Sequence, residues 1–238
     1  MNIALIGYGK MGKAIEALAV QKGHHVVLKI DEFNADSFTQ EQADKADVAI
    51  EFTGPHSAVD NILQCISFGL PVVSGSTGWL DHWSQVEAAC KEKNGTFIYS
   101  SNYSIGVNLF FEINIALAKL MDSYPDYDVS MKELHHTEKK DAPSGTAISL
   151  AEQIIANLGR KQQWTNNTQR NPDEISIRSE RKDPAPGTHS ISYHSEIDSI
   201  EIVHTAHTRQ GFAAGAIMAA EFTANKKGLF SMKDVLGL

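Results

Sequence analysis

Over the first hundred residues, short apolar runs alternate with longer segments whose apolar positions recur at helical spacing. Residues 2–6 are largely apolar and predict a buried strand, residues 7–12 are rich in glycine and predict a turn, and residues 13–22 predict a helix. The apolar face of this helix contains Ile15, Leu18 and Ala19. The chain therefore opens with a strand, a turn and a helix.

The same alternation continues to residue 99. Further strands are predicted at residues 25–30, 47–53, 71–75 and 96–99, and further helices at residues 55–68 and 80–93. Apolar strands that alternate with amphipathic helices are typical of an α/β fold with a Rossmann-like, doubly wound parallel sheet. Ligands of such sheets bind beyond the carboxyl ends of the strands.

The predicted turn has the glycine order G-x-G-x-x-G, with Gly7, Gly9 and Gly12 at the glycine positions. In a dinucleotide site these residues permit a tight turn, a close approach of backbone amides to the pyrophosphate, and close packing of helix on strand. Asp31 ends the second strand, 24 residues after Gly7, where a carboxylate can bind the adenosine ribose. A glycine turn that serves only packing, with a solvated Asp31, is the alternative.

Small and hydroxyl-bearing residues follow three of the predicted strands. They suit the ribose, phosphate and carboxamide groups of a nucleotide, although any turn between a strand and a helix uses the same residue types. The candidate cofactor contacts in these segments are Phe52, Thr53, Gly75, Ser76, Thr77, Ser101, Asn102 and Tyr103.

A second candidate site follows a strand predicted at residues 127–134. Pro143, Ser144 and Gly145 precede a helix predicted at residues 147–158, so Ser144, Gly145 and Thr146 can offer backbone amides and a hydroxyl to an anion. Just before them lies a cluster of groups that can carry positive charge: His135, His136, Lys139 and Lys140. Imidazole and ammonium groups can transfer protons or hold a carboxylate, but a solvated loop with two ordinary histidines is the alternative.

Composition narrows the function classes. The 238 residues allow one large domain or two modest ones, and two are expected. A net charge of −8 argues against nucleic-acid binding, and the lack of an apolar run of eighteen residues or of an export signal predicts a cytoplasmic protein without membrane spans. Cys65 and Cys90 have neither CxxC spacing nor a Cys/His cluster, so neither a disulfide framework nor a metal site is expected.

The segment from Glu133 to Thr146 reads ELHHTEKKDAPSGT and resembles the E-x-H-H-x-x-K-x-D-A-P-S-G-T signature of the 4-hydroxy-tetrahydrodipicolinate (dihydrodipicolinate) reductase family. The opening GYGKMG is similar to the nucleotide loop of that family, which adds Lys10 and Met11 to the candidate cofactor contacts. The segment NYSIGVN at residues 102–108 resembles the crossing between the two domains, and Arg209 and residues 228–236 also match in order. The resemblance spans nearly the whole chain.

This resemblance implies a nucleotide domain formed by residues 1–103 and 210–238, and an α+β domain for substrate binding and oligomerisation at residues 104–209. It also implies a homotetramer, NADH or NADPH as cofactor, and cofactor contacts from Arg209 and Phe212. The apolar, alanine-rich residues 212–224 independently predict a buried helix. The chain is shorter than longer members at residues 31–47 and around residues 181–187, which leaves loop details and assembly open.

The reaction that the resemblance implies is the reduction of a cyclic unsaturated imine dicarboxylate, with hydride from the nicotinamide, a proton to complete saturation and loss of water. His135 is then the acid, and Lys139 is a second proton donor or charge stabiliser. The implied substrate carboxylate site consists of His136, Ser144, Gly145 and Thr146. Two other classes stay open, a nicotinamide-binding regulatory protein without catalysis and another two-domain dehydrogenase acting on aspartate or an aldehyde.

The residues after the second strand bear on cofactor choice. Asp31 is followed by Glu32, where some relatives place an arginine suited to the 2′-phosphate of NADPH, and two carboxylates would repel that phosphate. Lys10 or Lys29 could offset part of the repulsion. Because Asp31 is fixed at a strand end and the lysines are on flexible stems, the sequence predicts a modest preference for NADH.

Overall fold

The computed structural model describes residues 1–167, 171–208 and 210–238. These residues form two compact units, one from Met1–Ile105 with Gln210–Leu238 and the other from Gly106–Arg209. The sequence-based boundaries, at 103/104 and 209/210, differ from this division by two residues at the first boundary and by none at the second.

The first unit begins with five parallel strands and the helices between them. The strands are β1 (Asn2–Ile6), β2 (His25–Ile30), β3 (Val48–Glu51), β4 (Val72–Ser74) and β5 (Thr96–Tyr99). The helices are α1 (Lys10–Gln21), α2 (Gln40–Ala43), α3 (Ala58–Ser67) and α4 (Trp83–Glu92). Two short 3-10 turns lie at Ala35–Ser37 and Leu80–His82. The predicted doubly wound sheet is confirmed.

Helices α1, α3 and α4 each start three residues away from the predicted position. Helix α1 begins at Lys10, three residues before the predicted start, because Gly9 is extended and caps the helix while Gly12 lies inside it. The segment predicted as one helix at residues 80–93 is a 3-10 turn followed by α4. Helical periodicity does not separate these two conformations, since both place apolar residues on one face every three or four positions.

The second unit is a mixed sheet with two helices. Its strands are β6 (Asp128–His135), β7 (Gln163–Thr165), β8 (Glu174–Arg181), β9 (Gly187–His194) and β10 (Ser199–Ala206), in the spatial order β10-β9-β6-β8-β7. The helices are α5 (Ile105–Asp122), which the sequence analysis did not predict, and α6 (Gly145–Asn157). Apolar residues of both helices share one core with the sheet.

Strand alternation decides which side chains of β6 and β9 are buried. On β6 the buried residues alternate as Val129, Met131, Glu133 and His135. Strand β9 pairs antiparallel with β6, and His189 lies directly opposite Glu133 in the register. Opposite residues of an antiparallel pair point to the same face of the sheet. The two histidines and the carboxylate therefore enter the same buried layer.

After the second unit the chain returns to the first through α7 (Gln210–Phe222), β11 (Gly228–Phe230) and α8 (Met232–Leu236). Strand β11 joins the first sheet, whose order is β11-β5-β4-β3-β1-β2. Helix α7 is the alanine-rich helix predicted at residues 212–224, and it packs on one face of this sheet with α1. None of the described helices combines the length and apolar character that crossing a lipid bilayer would require.

The contact between α7 and the loop after β5 requires a glycine. A Cβ atom at Gly215 would lie 1.7 Å from the carbonyl oxygen of Tyr103, whereas a Cβ atom at Gly211 of the same helix would lie 3.6 Å from its nearest neighbour, the Ser104 hydroxyl. We predict that Gly215→Ala lowers the free energy of unfolding by about 1–3 kcal/mol through overpacking. The matched Gly211→Ala should be neutral or slightly stabilising. Thermal unfolding of both variants tests this, and an equal effect would contradict the contact.

Candidate functional site

The glycine loop of the first unit has one glycine that faces open space. Gly7 has φ +97°, and its Cβ would lie 2.1 Å from the carbonyl oxygen of Phe52, while a Cβ at Gly12 would lie 2.4 Å from the carbonyl oxygen of Gly7. These two glycines are therefore required by the fold. Around Gly9, by contrast, no atom of the described chain lies within 4 Å of a Cβ position. Open space at the amino end of α1 suits a phosphate group.

Two cavities meet at this loop and share Gly9, Phe52, Thr53 and Gly54 in their linings. One extends to the end of β2 and the other to the end of β4. The predicted cofactor residues that line them are Gly7, Gly9, Lys10, Met11, Asp31, Phe52, Thr53, Gly75, Ser76 and Thr77. An elongated recess along the carboxyl ends of parallel strands, with no acidic residue in the first turn of α1, fits a dinucleotide.

The Asp31 carboxylate is held in a defined position at the end of β2. Its Oδ1 accepts a hydrogen bond from the backbone amide of Phe33 at 2.9 Å, and its own amide donates to the side-chain oxygen of Asn34 at 2.7 Å. Local turns of this kind fix an aspartate side chain against its own backbone. Asp31 lines the recess at the end of β2, and its contact with a ribose stays a prediction.

A buried carboxylate that the sequence analysis did not single out organises the neighbouring strand ends. Glu51 is fully buried and accepts hydrogen bonds from the hydroxyls of Ser74 and Ser76 and from the amide and hydroxyl of Thr53. The Thr53 and Ser76 hydroxyls, expected to contact the cofactor, therefore donate inward to Glu51. The Thr53 hydroxyl also accepts from the Asn61 side-chain amide, at 3.4 Å.

The third predicted cofactor segment is placed differently from the first two. Tyr103 is 1% exposed, and its hydroxyl donates to the carbonyl oxygen of Ser74 at 2.8 Å, so its side chain is part of the core. Ser101, Asn102 and Phe212 do not belong to the linings of the two cavities. Arg209 lies outside the described residues.

In the second unit, Glu133 of β6 is the centre of a buried polar network. Both of its carboxylate oxygens accept from the Ser144 amide at 3.1 Å, and Arg181 Nη2 lies 3.2 Å from Oε1. The rings of His135 and His189 approach Oε2 to 3.4 and 3.6 Å. Burial alone would raise the pKa of Glu133, but the polar side chains of His189, Ser144 and Ser179 and the Ser144 amide together hold that pKa well below its usual range.

His135, the predicted acid, is neutral near pH 7 in this arrangement. Burial lowers the pKa of His135 to about 4, and the attraction of Glu133 is opposed by His189, Lys139 and Arg181. Its Nδ1 has no hydrogen-bond partner with acceptable geometry among the described residues. A buried, under-satisfied imidazole beside cations is a group whose pKa responds strongly to an incoming anion.

Ser144 has a different role from the one expected. Its hydroxyl caps α6 by accepting from the Ala147 amide at 3.2 Å and lies 3.1 Å from Nε2 of His189, while its amide is bonded to Glu133. Ser144 thus joins the end of the helix to the buried network. Gly145, the first residue of α6, is exposed, and Thr146 is half-buried beside it. An anion at this helix start would meet Gly145 and Thr146 before Ser144.

Arg181 stabilises the loop that carries Lys139. Lys139 Nζ forms an ion pair with Asp141 at 2.9 Å, and the Arg181 guanidinium donates to the carbonyl oxygens of Lys139 and Asp141. The same guanidinium pairs with Glu133, so it connects the loop to the buried carboxylate. The sequence analysis noted a shortened segment around Arg181 but did not predict this contact.

His136 lies apart from His135, just beyond the end of β6. It lines a shallow recess with Thr137, Glu138 and the segment at residues 183–186, where Thr137 is bonded to Asp183. The structure thus groups His135, Lys139 and Ser144 around Glu133, and places His136 on a neighbouring surface.

Glu133, His135 and His189 also present possible metal ligands, with the three ligand atoms within 4.8 Å of one another. The carboxylate, however, already accepts from the Ser144 amide and pairs with Arg181. A guanidinium at this distance would repel a cation bound to the same carboxylate. The geometry favours a hydrogen-bonded network over a metal centre.

A parallel Rossmann-like sheet with a glycine loop, together with a second unit that gathers two histidines, a lysine and a helix start, defines a two-domain nicotinamide-dependent oxidoreductase. The family models for the N-terminus and the C-terminus of dihydrodipicolinate reductase match residues 1–103 and 106–236. The chain belongs to the dihydrodipicolinate reductase family.

Individual relatives support this assignment. The 4-hydroxy-tetrahydrodipicolinate reductase of Christiangramia forsetii is 47% identical over 237 residues, which cover 99% of this chain and 98% of the relative. The enzyme of the same name from Methanocaldococcus jannaschii is 38% identical over 201 residues, 82% of this chain and 72% of the relative. A solved structure of dipicolinate-bound dihydrodipicolinate reductase from Paenisporosarcina sp. TG-14 has the same fold, with a TM-score of 0.76 at 23% identity over 97% of both chains.

Family membership identifies the chain as an NAD(P)H-dependent oxidoreductase of lysine and diaminopimelate biosynthesis. The family signature seen in the sequence, and the enzyme class predicted from it, are thereby confirmed.

The burial of His135 generates a prediction for its titration. We expect NMR of the free protein to give a pKa of about 4 for this ring, and a higher value when a dicarboxylate binds. Since the folded-state pKa lies below the unfolded value of 6.5, the unfolded chain gains the proton first as pH falls. This residue therefore lowers the free energy of unfolding progressively from pH of about 6.5 to about 4.

The matched control is His135→Gln, which keeps a polar side chain and should lose this component of the pH dependence. An ordinary titration near pH 6.5 in the wild-type protein would contradict the buried, neutral assignment.

Proposed function

We propose that this protein catalyses the NAD(P)H-dependent reduction of 4-hydroxy-tetrahydrodipicolinate to tetrahydrodipicolinate. The observation that carries the proposal is the network in which Glu133 links His135, His189 and the cap of α6, with Lys139 on the adjoining loop. It supplies proton-bearing groups and an anion-binding helix start to a small dicarboxylate. A bound nicotinamide supplies the hydride.

His135 is the proposed acid, and its neutral state in the free protein makes proton uptake part of substrate binding. A dicarboxylate beside the ring adds negative charge where Lys139 and Arg181 now oppose protonation. The pKa of His135 then rises toward neutrality, so the protonated ring forms when the substrate is present. The substrate hydroxyl leaves as water, and the ring double bond formed by that loss would receive hydride from a bound nicotinamide at one carbon and the proton of the imidazolium at the other.

Lys139 is the proposed second donor or charge stabiliser. It is half-buried and paired with Asp141, which is exposed, so a substrate carboxylate can replace Asp141 as its partner. Gly145 and Thr146 are proposed to bind that carboxylate at the start of α6, with Ser144 fixing the helix end. His136 is proposed to complete the carboxylate site from its own side of the loop.

The competing activities gain no support from the site. An aldehyde dehydrogenase that uses a thiol needs an accessible thiolate. Cys65 and Cys90 are both buried, and burial raises the pKa of each thiol. His135 and Lys139 are both present and approach the same network, which disfavours a binding protein without catalysis.

We also propose a homotetramer located in the cytoplasm. In the sheet of the second unit, the face opposite α5 and α6 carries half-buried and exposed residues. On the edge strand β10, Val203 is 54% exposed on that face, and Ile200 is 41% exposed on the other face. Exposed apolar residues on an edge strand support association with another copy of the chain.

Removing the proposed donors tests the function. We expect His135→Ala and Lys139→Ala each to lower kcat roughly 10²–10⁴-fold, because a positioned proton donor is lost, while dissociation constants for NADH stay within about twofold. The matched control is Lys140→Ala, an exposed lysine next in the chain, which should retain activity. The assay follows oxidation of the nicotinamide with substrate made from pyruvate and aspartate semialdehyde. Wild-type rates in both variants would remove this loop from the chemistry.

A modest preference for NADH over NADPH is the second prediction for the reaction. Asp31 is fixed by its turn, Glu32 is exposed next to it, and both line the recess at the end of β2. Their negative charges disfavour a 2′-phosphate there. Comparing kcat/KM for both cofactors at matched ionic strength is the measurement, and a tenfold or greater advantage for NADPH would show that the lysines prevail.

A further inference from the structure

A triad of side chains lies beside the recess at the end of β2: Tyr8 of the glycine loop, Glu16 of α1 and Lys29 of β2. Lys29 Nζ is 2.6 Å from Glu16 Oε1, and the Tyr8 hydroxyl donates to Glu16 Oε2. The ammonium also lies 3.4 Å from the Tyr8 hydroxyl and 4.8 Å from the centre of its ring. Lys29 thus has a carboxylate, a hydroxyl and an aromatic face as simultaneous partners.

The triad adjoins the place where a 2′-phosphate would bind. Tyr8 lines the same recess as Asp31 and Glu32. Lys29 is the penultimate residue of β2, and Asp31 directly follows the last one, Ile30. In Rossmann-like sheets the end of the second strand receives the adenosine ribose. An unpaired lysine at this position would attract the phosphate that distinguishes NADPH.

We propose that Glu16 is a specificity-determining residue that, together with Tyr8, withholds Lys29 from the 2′-phosphate of NADPH. This inference rests on the proposed NAD(P)H-dependent activity and names the group that sets its cofactor preference. Lys29 must leave Glu16 before it can bind a phosphate, and NADH makes no such demand. The exchange is confined to the surface, since the Lys29 side chain is 42% exposed and the Glu16 side chain 24% exposed.

The ionisation of the pair supports its persistence near neutral pH. The hydrogen bond from Lys29, followed by that from Tyr8, lowers the pKa of Glu16, and the bond to Glu16 raises the pKa of Lys29. Both groups therefore remain charged where the reductase works. A single exposed ion pair is weak, but here the ammonium also contacts the hydroxyl and the ring of Tyr8. Lys13, the other lysine over this ring, is 5.8 Å from its centre.

A double-mutant cycle tests the proposal with three variants: Glu16→Gln, Lys29→Met and the combination of both. Glu16→Gln keeps the shape of the side chain and removes its charge. We expect it to raise the ratio of kcat/KM for NADPH to that for NADH about two- to fivefold, the scale of one exposed charge contact. Lys29→Met alone should leave the ratio near its wild-type value, and the double variant should match Lys29→Met.

Binding provides a readout that does not depend on turnover. Titration calorimetry with NADP⁺ and NAD⁺ should show tighter binding of NADP⁺ to Glu16→Gln and an unchanged dissociation constant for NAD⁺. If Glu16→Gln has no effect on the dissociation constant of NADP⁺, the proposal is contradicted. If it has the same effect in the Lys29→Met background, the charge of Glu16 acts on the phosphate directly, and the withholding of Lys29 is contradicted as well.

The calorimetric test of Glu16 does not depend on whether the protein catalyses the proposed reaction. A wild-type protein that binds both dinucleotides but reduces no cyclic imine would contradict the proposed function, while the calorimetric cycle would still decide the role of Glu16. Tyr8→Phe is a milder variant that keeps the ring and removes the hydroxyl. It should shift the same ratio in the same direction by a smaller factor.

Discussion

A carboxylate removed from water must be surrounded by hydrogen-bond donors, and this requirement organises both sites of the protein. An isolated buried charge is costly, so every donor within reach is recruited to it. Glu51 recruits hydroxyls and an amide from the ends of β3 and β4, and Glu133 recruits the Ser144 amide at the start of α6 and a guanidinium, with two imidazole rings beside it. The loops that supply these donors thereby acquire fixed conformations.

In the second unit, the need of a buried carboxylate for hydrogen-bond donors also determines which side chains are charged. Because Glu133 holds its negative charge, Arg181 stays paired and keeps the Lys139 loop in place. Because the layer is buried, His135 stays neutral until an anion arrives. Glu133 thus carries a permanent charge that positions the loop. His135 becomes charged only when an anion binds, and it can then transfer a proton. A hydrophobic core would give comparable stability without this separation.

Much of the candidate site in the second unit was predictable because its residues are close in the chain. His135, Lys139, Ser144 and Gly145 occur within eleven residues, and a strand that runs into a helix start explains their proximity. His189 and Arg181 were not predicted, because they come from β8 and β9 and reach Glu133 only through the pairing of strands. The alternation of β9 was the available signal, since it places His189 on the buried face, but strand register is not written in local sequence.

The sequence by itself determined the alternation of strands and helices, the glycine loop, the fixed aspartate after β2 and the family signature, since each depends on local periodicity or on the conformational demands of single residues. Only the tertiary structure decided which polar groups face a ligand. Thr53, Ser76 and Ser144 were all candidate contacts, yet each gives its hydroxyl or amide to an internal partner. That choice depends on which groups long-range packing brings within 3 Å or so, and a hydrogen bond to a buried charge outweighs one to water.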